Sequence, residues 1–255
     1  MDALQAAFLA TTSPEQAPRK AAEAFLAHAK TQPGFALAAL QLAASTAVEE
    51  PVRQAAAVAF KNLLKFHWEP PLPPAEQANA AQPLAIGDAE KEQIKATVVG
   101  VMLRQPPRIQ AQLSEALALI AATDFPDRWP ALLPELLAAM GSGDVAVANG
   151  VLAAADAVFV RFRDQYRTVE LVRELKYVLG LFVAPLLELL KATGVRLAGP
   201  EGGQADTARL LLTSVLYVCR IFYSLNYHDL PGTRRSFGCA GYWGSHSFFC
   251  LRRGV

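Results

Sequence analysis

The sequence predicts an all-α fold made of stacked pairs of helices. Apolar residues recur at helical spacing along roughly ten segments of about 11–20 residues. Alanine and leucine make up much of the 53% hydrophobic fraction, and hairpin signals are nearly absent. Two helices with their turns occupy about 40–45 residues, the period of HEAT-type repeats. Because one pair cannot bury its own apolar face, we expect about five pairs stacked into a right-handed superhelix.

Four helices are predicted before residue 70. Ser13 stands where its hydroxyl can cap the second helix. Pro33 and Gly34 break the chain, and Pro51 suits the first turn of a helix. The predicted segments are 2–12, the stretch from 14 to the break, 35–45 and 51–66.

A proline-rich segment follows at residues 69–74, Glu-Pro-Pro-Leu-Pro-Pro, and leads into Ala/Gln/Asn-rich sequence up to Gly87. Four prolines in five positions exclude a helix, so this stretch is predicted to be an exposed loop. Polyproline recognition is one interpretation of the loop, and a plain linker insertion is the simpler one.

Six more helices are predicted in the second half of the chain. Asp144 ends a Gly-Ser-Gly turn and is placed to cap the next helix. Pro185 is expected to kink or split the ninth helix, and residues 194–203 read as a glycine-rich loop. The predicted helices are 88–104, 108–122, 130–140, 145–162, 169–192 and 206–225.

The turn within residues 121–137 is the most informative stretch. Pro126 ends the helix before it, because proline removes an N–H and disfavours helical geometry at Phe125. Pro130 suits the first turn of the next helix, and Asp124 or Asp127 is available as its cap. We therefore predict that 108–122 and 130–140 form one helix–turn–helix unit built for stacking.

Charge is unevenly distributed along the chain. The formal net charge is +1, and residues 232–255 contribute four arginines and no acid, so residues 1–231 carry −3. A mildly acidic body argues against a nucleic-acid surface.

The number of cysteines and the composition of the apolar runs indicate which cellular compartment the chain suits. Cys219, Cys239 and Cys250 are an odd, sparse set that fits a reducing compartment. The start of the chain lacks the basic region of a signal peptide. The longest uncharged run, residues 31–48, contains several polar residues, so no membrane insertion is expected.

No residue pattern for catalysis, cofactor binding or metal binding is found, and the chain is not predicted to be an enzyme. The four histidines are far apart, without an i, i+4 pair for zinc. Cys239, His246 and Cys250 miss the usual zinc spacing and lack a fourth ligand. Residues 199–203 contain glycines without the Gly-Lys-Ser/Thr of a phosphate loop.

Several segments resemble the amino-terminal arch of the exportin-2 family within the importin-β superfamily. The Phe-Pro-x-x-Trp-Pro turn is typical of the superfamily, and Phe-Tyr-Ser-Leu-Asn is more specific to the family. The segments are 18–26 (PRKAAEAFL), 58–68 (VAFKNLLKFHW), 94–99 (IKATVV), 110–116 (QAQLSEA), 124–130 (DFPDRWP), 149–152 (NGVL), 162–166 (FRDQY) and 222–231 (FYSLNYHDLP).

The resemblance implies a nuclear transport receptor of the nucleus and cytoplasm. Its partners would be Ran-GTP on the concave face and importin-α as the re-exported cargo, with nuclear pore nucleoporins as possible further partners. Superfamily members bind Ran mainly through the second helices of repeats one to three, which we expect near 35–45, 88–104 and 130–140. Phe125, Pro126, Trp129 and Pro130 are better read as packing residues.

The resemblance covers residues 4–231 and ends at Gly232. We predict a HEAT-repeat arch at 1–231, with an importin N-terminal-like part at about 1–105, and an irregular, non-native or alternatively spliced tail at 232–255. A generic HEAT-repeat scaffold and a non-functional truncated product stay open as alternatives. Without further repeats, Leu210, Leu211, Leu216, Ile221 and Phe222 are expected to expose an apolar surface.

Overall fold

The computed structural model describes residues 2–70 and 85–228, and these residues form ten α-helices. The proline-rich segment from residue 71 onward and the predicted tail at 232–255 lie outside the described residues. The helices are α1 (Asp2–Ala10), α2 (Gln16–Ala29), α3 (Phe35–Ala44), α4 (Glu50–His67), α5 (Asp88–Leu103), α6 (Pro107–Asp124), α7 (Leu132–Met140), α8 (Val145–Phe159), α9 (Val169–Ala198) and α10 (Ala205–Leu225).

Consecutive helices form five pairs, and the pairs stack side by side. α1 packs on α2, α3 on α4, α5 on α6, α7 on α8 and α9 on α10. Between pairs, the second helices α4, α6, α8 and α10 pack in one row, and the first helices α3, α5, α7 and α9 pack in another. The predicted all-α stack is therefore confirmed for the described residues.

The two rows differ in how closely their helices pack. Neighbouring second helices contact one another much more extensively than neighbouring first helices do. A stack of pairs bends toward its more closely packed row, as in other solenoids. Helices α4, α6, α8 and α10 thus lie on the inner side of the curve, and in the first pair it is α1 that packs against α4.

The turn after α6 does not join a helix pair, and this corrects the prediction. α6 packs against α4, α5 and α8, whereas α7 packs against α8, α9 and α5. The stretch 125–131 therefore links the third pair to the fourth. The short, proline-bracketed turn resembled a hairpin between paired helices, but at seven residues it is longer than the links within pairs, which have three to six.

The ends of the flanking helices are partly as predicted. α6 ends at Asp124, and Phe125 before Pro126 is extended, with φ −89° and ψ 137°. α7 begins only at Leu132, after Ala131, and no side chain caps it. The predicted caps, Asp124 and Asp127, are therefore wrong for this helix.

Three other predicted helix boundaries, at Asp144, Ser13 and Pro185, differ in their outcome. The Asp144 carboxylate accepts a hydrogen bond from the Ala146 N–H at 2.7 Å, which confirms that cap. Ser13 bonds to the N–H of Glu15 at 3.2 Å, and α2 starts later than predicted, without a side-chain cap. α9 continues unbroken through Pro185 to Ala198, so the predicted split is wrong and the glycine-rich loop is shorter.

Three segments are long and apolar enough to cross a membrane by length and composition alone. They are Val145–Arg163, Val169–Ala198 and Ala205–Leu225. The sequence-based exclusion considered only the longest uncharged run and therefore missed them. In the stack, the first segment lies between its neighbours with 61% of its apolar window buried, against 22% and 33% for the other two. Its apolar composition fills the interior between α6 and α10.

One helix start is completed by the following pair. The carboxylate of Glu90 in α5 accepts the backbone N–H of Gly34 at 2.9 Å and that of Leu37 at 3.0 Å. Gly34 precedes α3 in a left-handed conformation, with φ 82°, and no side chain of its own turn caps the helix. Glu90 thus satisfies two N–H groups that a helix start leaves free.

Glu90→Ala is expected to lower the free energy of unfolding by about 1–2 kcal/mol, the usual cost of losing a helix cap. Urea denaturation followed by circular dichroism measures this. Glu23→Ala, at an exposed position on α2, is the matched control and is expected to change stability little. Equal losses in the two variants would contradict the capping role.

Candidate partner-binding surface

The outward faces of α4 and α6 form a continuous polar surface on the inner side of the stack. On α4, Lys61, Asn62 and Lys65 point away from the buried stripe that contains Phe60 and Leu64. On α6, the exposed residues are Pro107, Arg108, Ala111, Glu115, Ala122 and Thr123. We call the exposed faces of the second helices the inner surface.

An ion pair ties the two helices together across this surface. The Lys61 ammonium lies 2.6 Å from the Glu115 carboxylate, and the Glu115 side chain is 58% exposed. Exposed pairs of this kind contribute about 0.2–1 kcal/mol, so the pair fixes side-chain positions more than it stabilises the fold. Lys65, one turn further along α4, stays available to a partner.

The chemistry changes along the inner surface toward α8. α8 is almost entirely buried, and the partly exposed positions along its middle are Ala153 and Ala157, with Ala146 exposed near its start. Small side chains let a partner approach the helix backbone closely. The exposed side chains of the inner surface are therefore basic and polar on α4 and small and apolar on α8.

The helices predicted to carry partner contacts are the first helices of their pairs rather than the second. Residues 35–45, 88–104 and 130–140 correspond to α3, α5 and α7, which are the first helices of their pairs. The prediction paired 108–122 with 130–140 and so shifted the pairing by one helix. The second helices of the first three pairs are α2, α4 and α6.

A buried carboxylate holds the edge of this surface in place. Asp124, at the end of α6, accepts the Trp68 indole N–H at 3.1 Å and the Lys95 ammonium at 3.2 Å. Lys95 also donates to the carbonyl of Arg128 at 2.9 Å. Asp124 is 4% exposed and Lys95 5% exposed. This cluster, the Asp124 hub, joins the ends of α4 and α6 to α5.

The charge on Lys95 is retained in spite of burial. Burial lowers the pKa of the Lys95 ammonium, but hydrogen bonds to Glu92 and Asp124 and their negative charges outweigh it, and the pKa is raised. The Lys95 side chain of the hub is therefore protonated at neutral pH.

Phe125 and Trp129, the aromatic residues of the linking turn, are packing residues as predicted. They are 5% and 3% exposed and belong to the hydrophobic core. Pro126 is partly exposed and Pro130 is exposed.

One segment of the resemblance, 149–152, lies where α8 packs on α10 and on α6. The Asn149 amide donates to the carbonyl of Leu210 at 2.9 Å, and the Ser214 hydroxyl donates to the Asn149 side-chain oxygen at 2.7 Å. Gly150 beside it lies under the Gln110 side chain, where an added Cβ would come within 2.5 Å of Nε2. Asn149 and Gly150 thus set the spacing of α6, α8 and α10.

Another polar cluster lies at the opposite end of the same helices. Asp156 of α8 lies 2.7 Å from the Arg220 guanidinium, and Arg163 donates to the Ser224 hydroxyl at 2.7 Å. Burial raises the pKa of the Asp156 carboxyl, and the charges of Arg220 and Arg163 only partly offset this. These contacts join residues 162–166 to residues 222–228.

No group of three or more His, Cys, Asp or Glu side chains suited to a metal ion occurs in residues 2–70 and 85–228. Cys219 is an exposed free thiol, and the predicted Cys239–His246–Cys250 segment lies outside the described residues. The polar clusters named above join helices, and Oδ1 of Asp156 is buried without a hydrogen-bond partner.

The outer face of α10 is exposed only in part as predicted. Leu210 is 44% exposed and Leu216 is 56% exposed, whereas Leu211 and Ile221 are buried and Phe222 packs against the core. The buried stripe follows a spacing of three and four residues through Leu211, Ser214, Val218, Ile221 and Leu225. Leu212, on the opposite side, is 57% exposed and was missed.

Family models match two parts of the chain. A model described as the importin-beta N-terminal domain matches residues 22–104, and a model described as Cse1 matches residues 158–234. The second match contains the contacts between residues 162–166 and 222–228.

Curated relatives are similar over most of the chain. Exportin-2 of Homo sapiens is 37% identical over 221 residues, and that of Oreochromis niloticus is 36% identical over 221 residues. Each alignment covers 87% of this chain and 22% of the relative, so the chain spans about a fifth of the length of these relatives. These names describe transport receptors rather than enzymes.

Solved structures agree on the fold. The exportin Cse1 in its cargo-free, cytoplasmic state superposes with a TM-score of 0.80 at 30% identity, covering 93% of this chain and 25% of Cse1. Importin beta superposes with a TM-score of 0.62 at 19% identity, covering 92% of this chain and 25% of importin beta, and shows the shared fold alone.

Proposed function

Because the chain belongs to the exportin-2 family of the importin-β superfamily, we propose that it binds Ran-GTP and takes part in the re-export of importin-α from the nucleus to the cytoplasm. It is the amino-terminal arch of such a receptor, at residues 1–231, and works in nucleus and cytoplasm. The observation that supports this most is the match to Cse1 over nearly the whole described stack.

The proposed Ran-binding helices are α2, α4 and α6. They are the second helices of the first three pairs, and in the superfamily those positions carry Ran contacts. α4 and α6 bring Lys61, Lys65 and Arg108 to the inner surface, with the acidic Glu115 between them. A surface of mixed charge favours orientation and rate of binding, so charge reversal there is a sensitive probe.

Lys65→Glu is expected to weaken binding of Ran-GTP by about tenfold, which corresponds to about 1.4 kcal/mol. Isothermal titration with Ran loaded with a non-hydrolysable GTP analogue measures the effect. Lys176→Glu is the matched control, since it reverses the same charge at an exposed position on α9, a first helix. The proposal fails if Lys65→Glu and Lys176→Glu behave alike.

Nucleotide dependence is the direct test of the function. A pull-down should retain Ran-GTP and leave Ran-GDP in the supernatant. Equal binding of both forms, or binding of neither, would leave a general protein-binding scaffold as the better description. We expect no stable grip on importin-α by this chain alone, since cargo contacts in the family also involve repeats far beyond its length.

A further inference from the structure

Three charged side chains alternate in sign along the middle of the inner surface. On α6, Glu115 lies two turns after Arg108 and on the same face of the helix, about 10 Å further along its axis. On α4, the exposed Lys65 lies one turn after Lys61, the residue that contacts Glu115. The order along the two helices is therefore positive, negative, positive. We call Arg108, Glu115 and Lys65 the inner triplet.

This order follows from the direction of the two helices, which run parallel. The Lys61 side chain contacts Glu115 in the middle of α6, and Trp68, directly after α4, contacts Asp124 at the end of α6. The lysine of the triplet therefore lies toward the carboxyl end of α6 and the arginine toward its amino end. Because α4 packs on α1 and α6, and α6 packs on α4 and α8, the triplet lies inside the stack and not on the face of its last pair.

Glu115 stands alone as an acid on its face of α6. Residues 107–123 contain no other Asp or Glu, and the exposed residues one turn before it and two turns after it are Ala111 and Ala122. The partly exposed residues along the middle of α8 are alanines as well. A side chain of a partner can therefore reach the carboxylate without meeting a second acid or a bulky group.

The carboxylate of Glu115 is held from below and faces outward. Nζ of Lys61 lies 2.6 Å from its Oε2, and the Lys61 side chain is 21% exposed against 58% for Glu115. A carboxylate has about four lone-pair sites on its two oxygens, so Oε1 can accept a hydrogen bond from a partner. A side chain that is ordered before binding also loses less entropy on binding. An approaching group meets the carboxylate before the lysine, so the group that matches this point is a cation.

We propose that Glu115 is the specificity-determining residue of the inner surface and that it accepts a hydrogen bond from an arginine or lysine side chain of the GTPase. Since the other two members of the inner triplet are cations, the matching surface of the GTPase carries an acidic residue on either side of that basic one. A partner with another pattern would bring like charges together, which is destabilising. This inference rests on the proposed binding of Ran-GTP by α4 and α6.

Glu115→Lys is expected to weaken the binding of Ran-GTP to the full chain by about tenfold or more, because it places a cation opposite a cation. Isothermal titration with Ran loaded with a non-hydrolysable GTP analogue measures the affinity. Glu188→Lys is the matched control and should change the affinity little. Glu188 on α9 is also exposed and also pairs with a lysine, Lys191, at 2.8 Å.

A variant with the two charges exchanged separates contact with the partner from contact between the helices. Lys61→Glu combined with Glu115→Lys keeps an ion pair between α4 and α6 but makes its outer member positive. We expect this double variant to bind Ran-GTP as weakly as Glu115→Lys alone. Recovery of the original affinity would show that the pair only joins the helices and would overturn the proposal. Circular dichroism checks that each variant is folded.

Charge reversal on the partner tests which chemical group Glu115 meets. The arginine and lysine residues on the surface of Ran are replaced by glutamate one at a time, and each variant is titrated against Glu115→Lys. One of them should restore most of the lost affinity, because it returns an opposite charge to the contact. If none does so, the proposed contact with a basic side chain is wrong.

The outcomes distinguish this inference from the proposed function. If the unaltered chain binds Ran-GTP and Lys65→Glu weakens binding, whereas Glu115→Lys and Glu188→Lys behave alike, the role of Glu115 is wrong and the proposed function stands. If the unaltered chain shows no GTP-dependent binding, both are wrong.

Discussion

Replacing Asp124 with alanine is expected to lower the free energy of unfolding by about 3–5 kcal/mol, the cost of removing one partner of a buried ion pair. The variant leaves the Trp68 indole N–H without its acceptor and removes one of the two carboxylates paired with the Lys95 ammonium. The buried indole N–H then has no partner and gains no water in return, whereas the buried ammonium keeps Glu92 and the Arg128 carbonyl but loses the charge of Asp124. The midpoint of urea denaturation measures the loss.

Two further variants separate charge from hydrogen bonding at the hub. Asp124→Asn keeps an acceptor for Trp68 and removes the charge that faces Lys95, so an intermediate loss is expected. Glu115→Ala breaks the exposed ion pair with Lys61 and should cost less than about 1 kcal/mol. A loss for Asp124→Ala as small as that of Glu115→Ala would show that the hub is not structurally important.

Phe159→Ala is expected to cost about 3–5 kcal/mol, as is usual for truncation of a fully buried aromatic residue. Phe159 at the end of α8 is completely buried. Its ring lies edge-on to Phe182 of α9, with centroids 5.4 Å apart, and beside Phe162, at 5.8 Å. The cavity would open between the fourth and fifth pairs, so amide hydrogen exchange should accelerate first in α9.

Phe66→Ala is the matched control for Phe159→Ala. The Phe66 side chain, at the end of α4, is 62% exposed, and the substitution removes the same atoms without leaving a cavity. Its effect on the midpoint of thermal unfolding should be within the small range of surface substitutions. Equal shifts for the two variants would contradict the assignment of Phe159 to the core.

The sequence was sufficient to predict which side of α6 is buried. Ile109, Leu113 and Ile120 were placed on one face of a helix, and all three are completely buried in α6. Apolar residues that recur every 3.6 residues indicate which face of a helix is buried, because this spacing follows from helix geometry. The spacing does not indicate which neighbouring helix covers that face.

The pairing of the helices was mispredicted because the spacing of apolar residues does not identify the neighbouring helix. In a solenoid, each helix touches its partner in the pair and the helices of adjacent pairs, so a compact turn does not by itself show which two helices are paired. The turn around Trp129 was therefore read as the inside of a pair, and α3, α5 and α7 were taken as second helices, whereas they are the first helices of their pairs. A shift by one helix exchanges the inner and outer sides.

The contacts of the Asp124 hub were also not predictable from the sequence. An aspartate between a helix and a proline turn is most simply read as a cap. Its partners Trp68 and Lys95 stand 56 and 29 residues earlier in the chain. No local pattern connects them, although an indole N–H or an ammonium needs a partner wherever it is buried.

The Glu90 contact with the start of α3 has a consequence for synthesis of the chain. Glu90 follows Gly34 by 56 residues and Leu37 by 53 residues. At ribosomal elongation rates, that separation corresponds to about 3–11 s during which α3 has left the ribosome without its cap. The start of this early helix is therefore completed only after a later helix has been made.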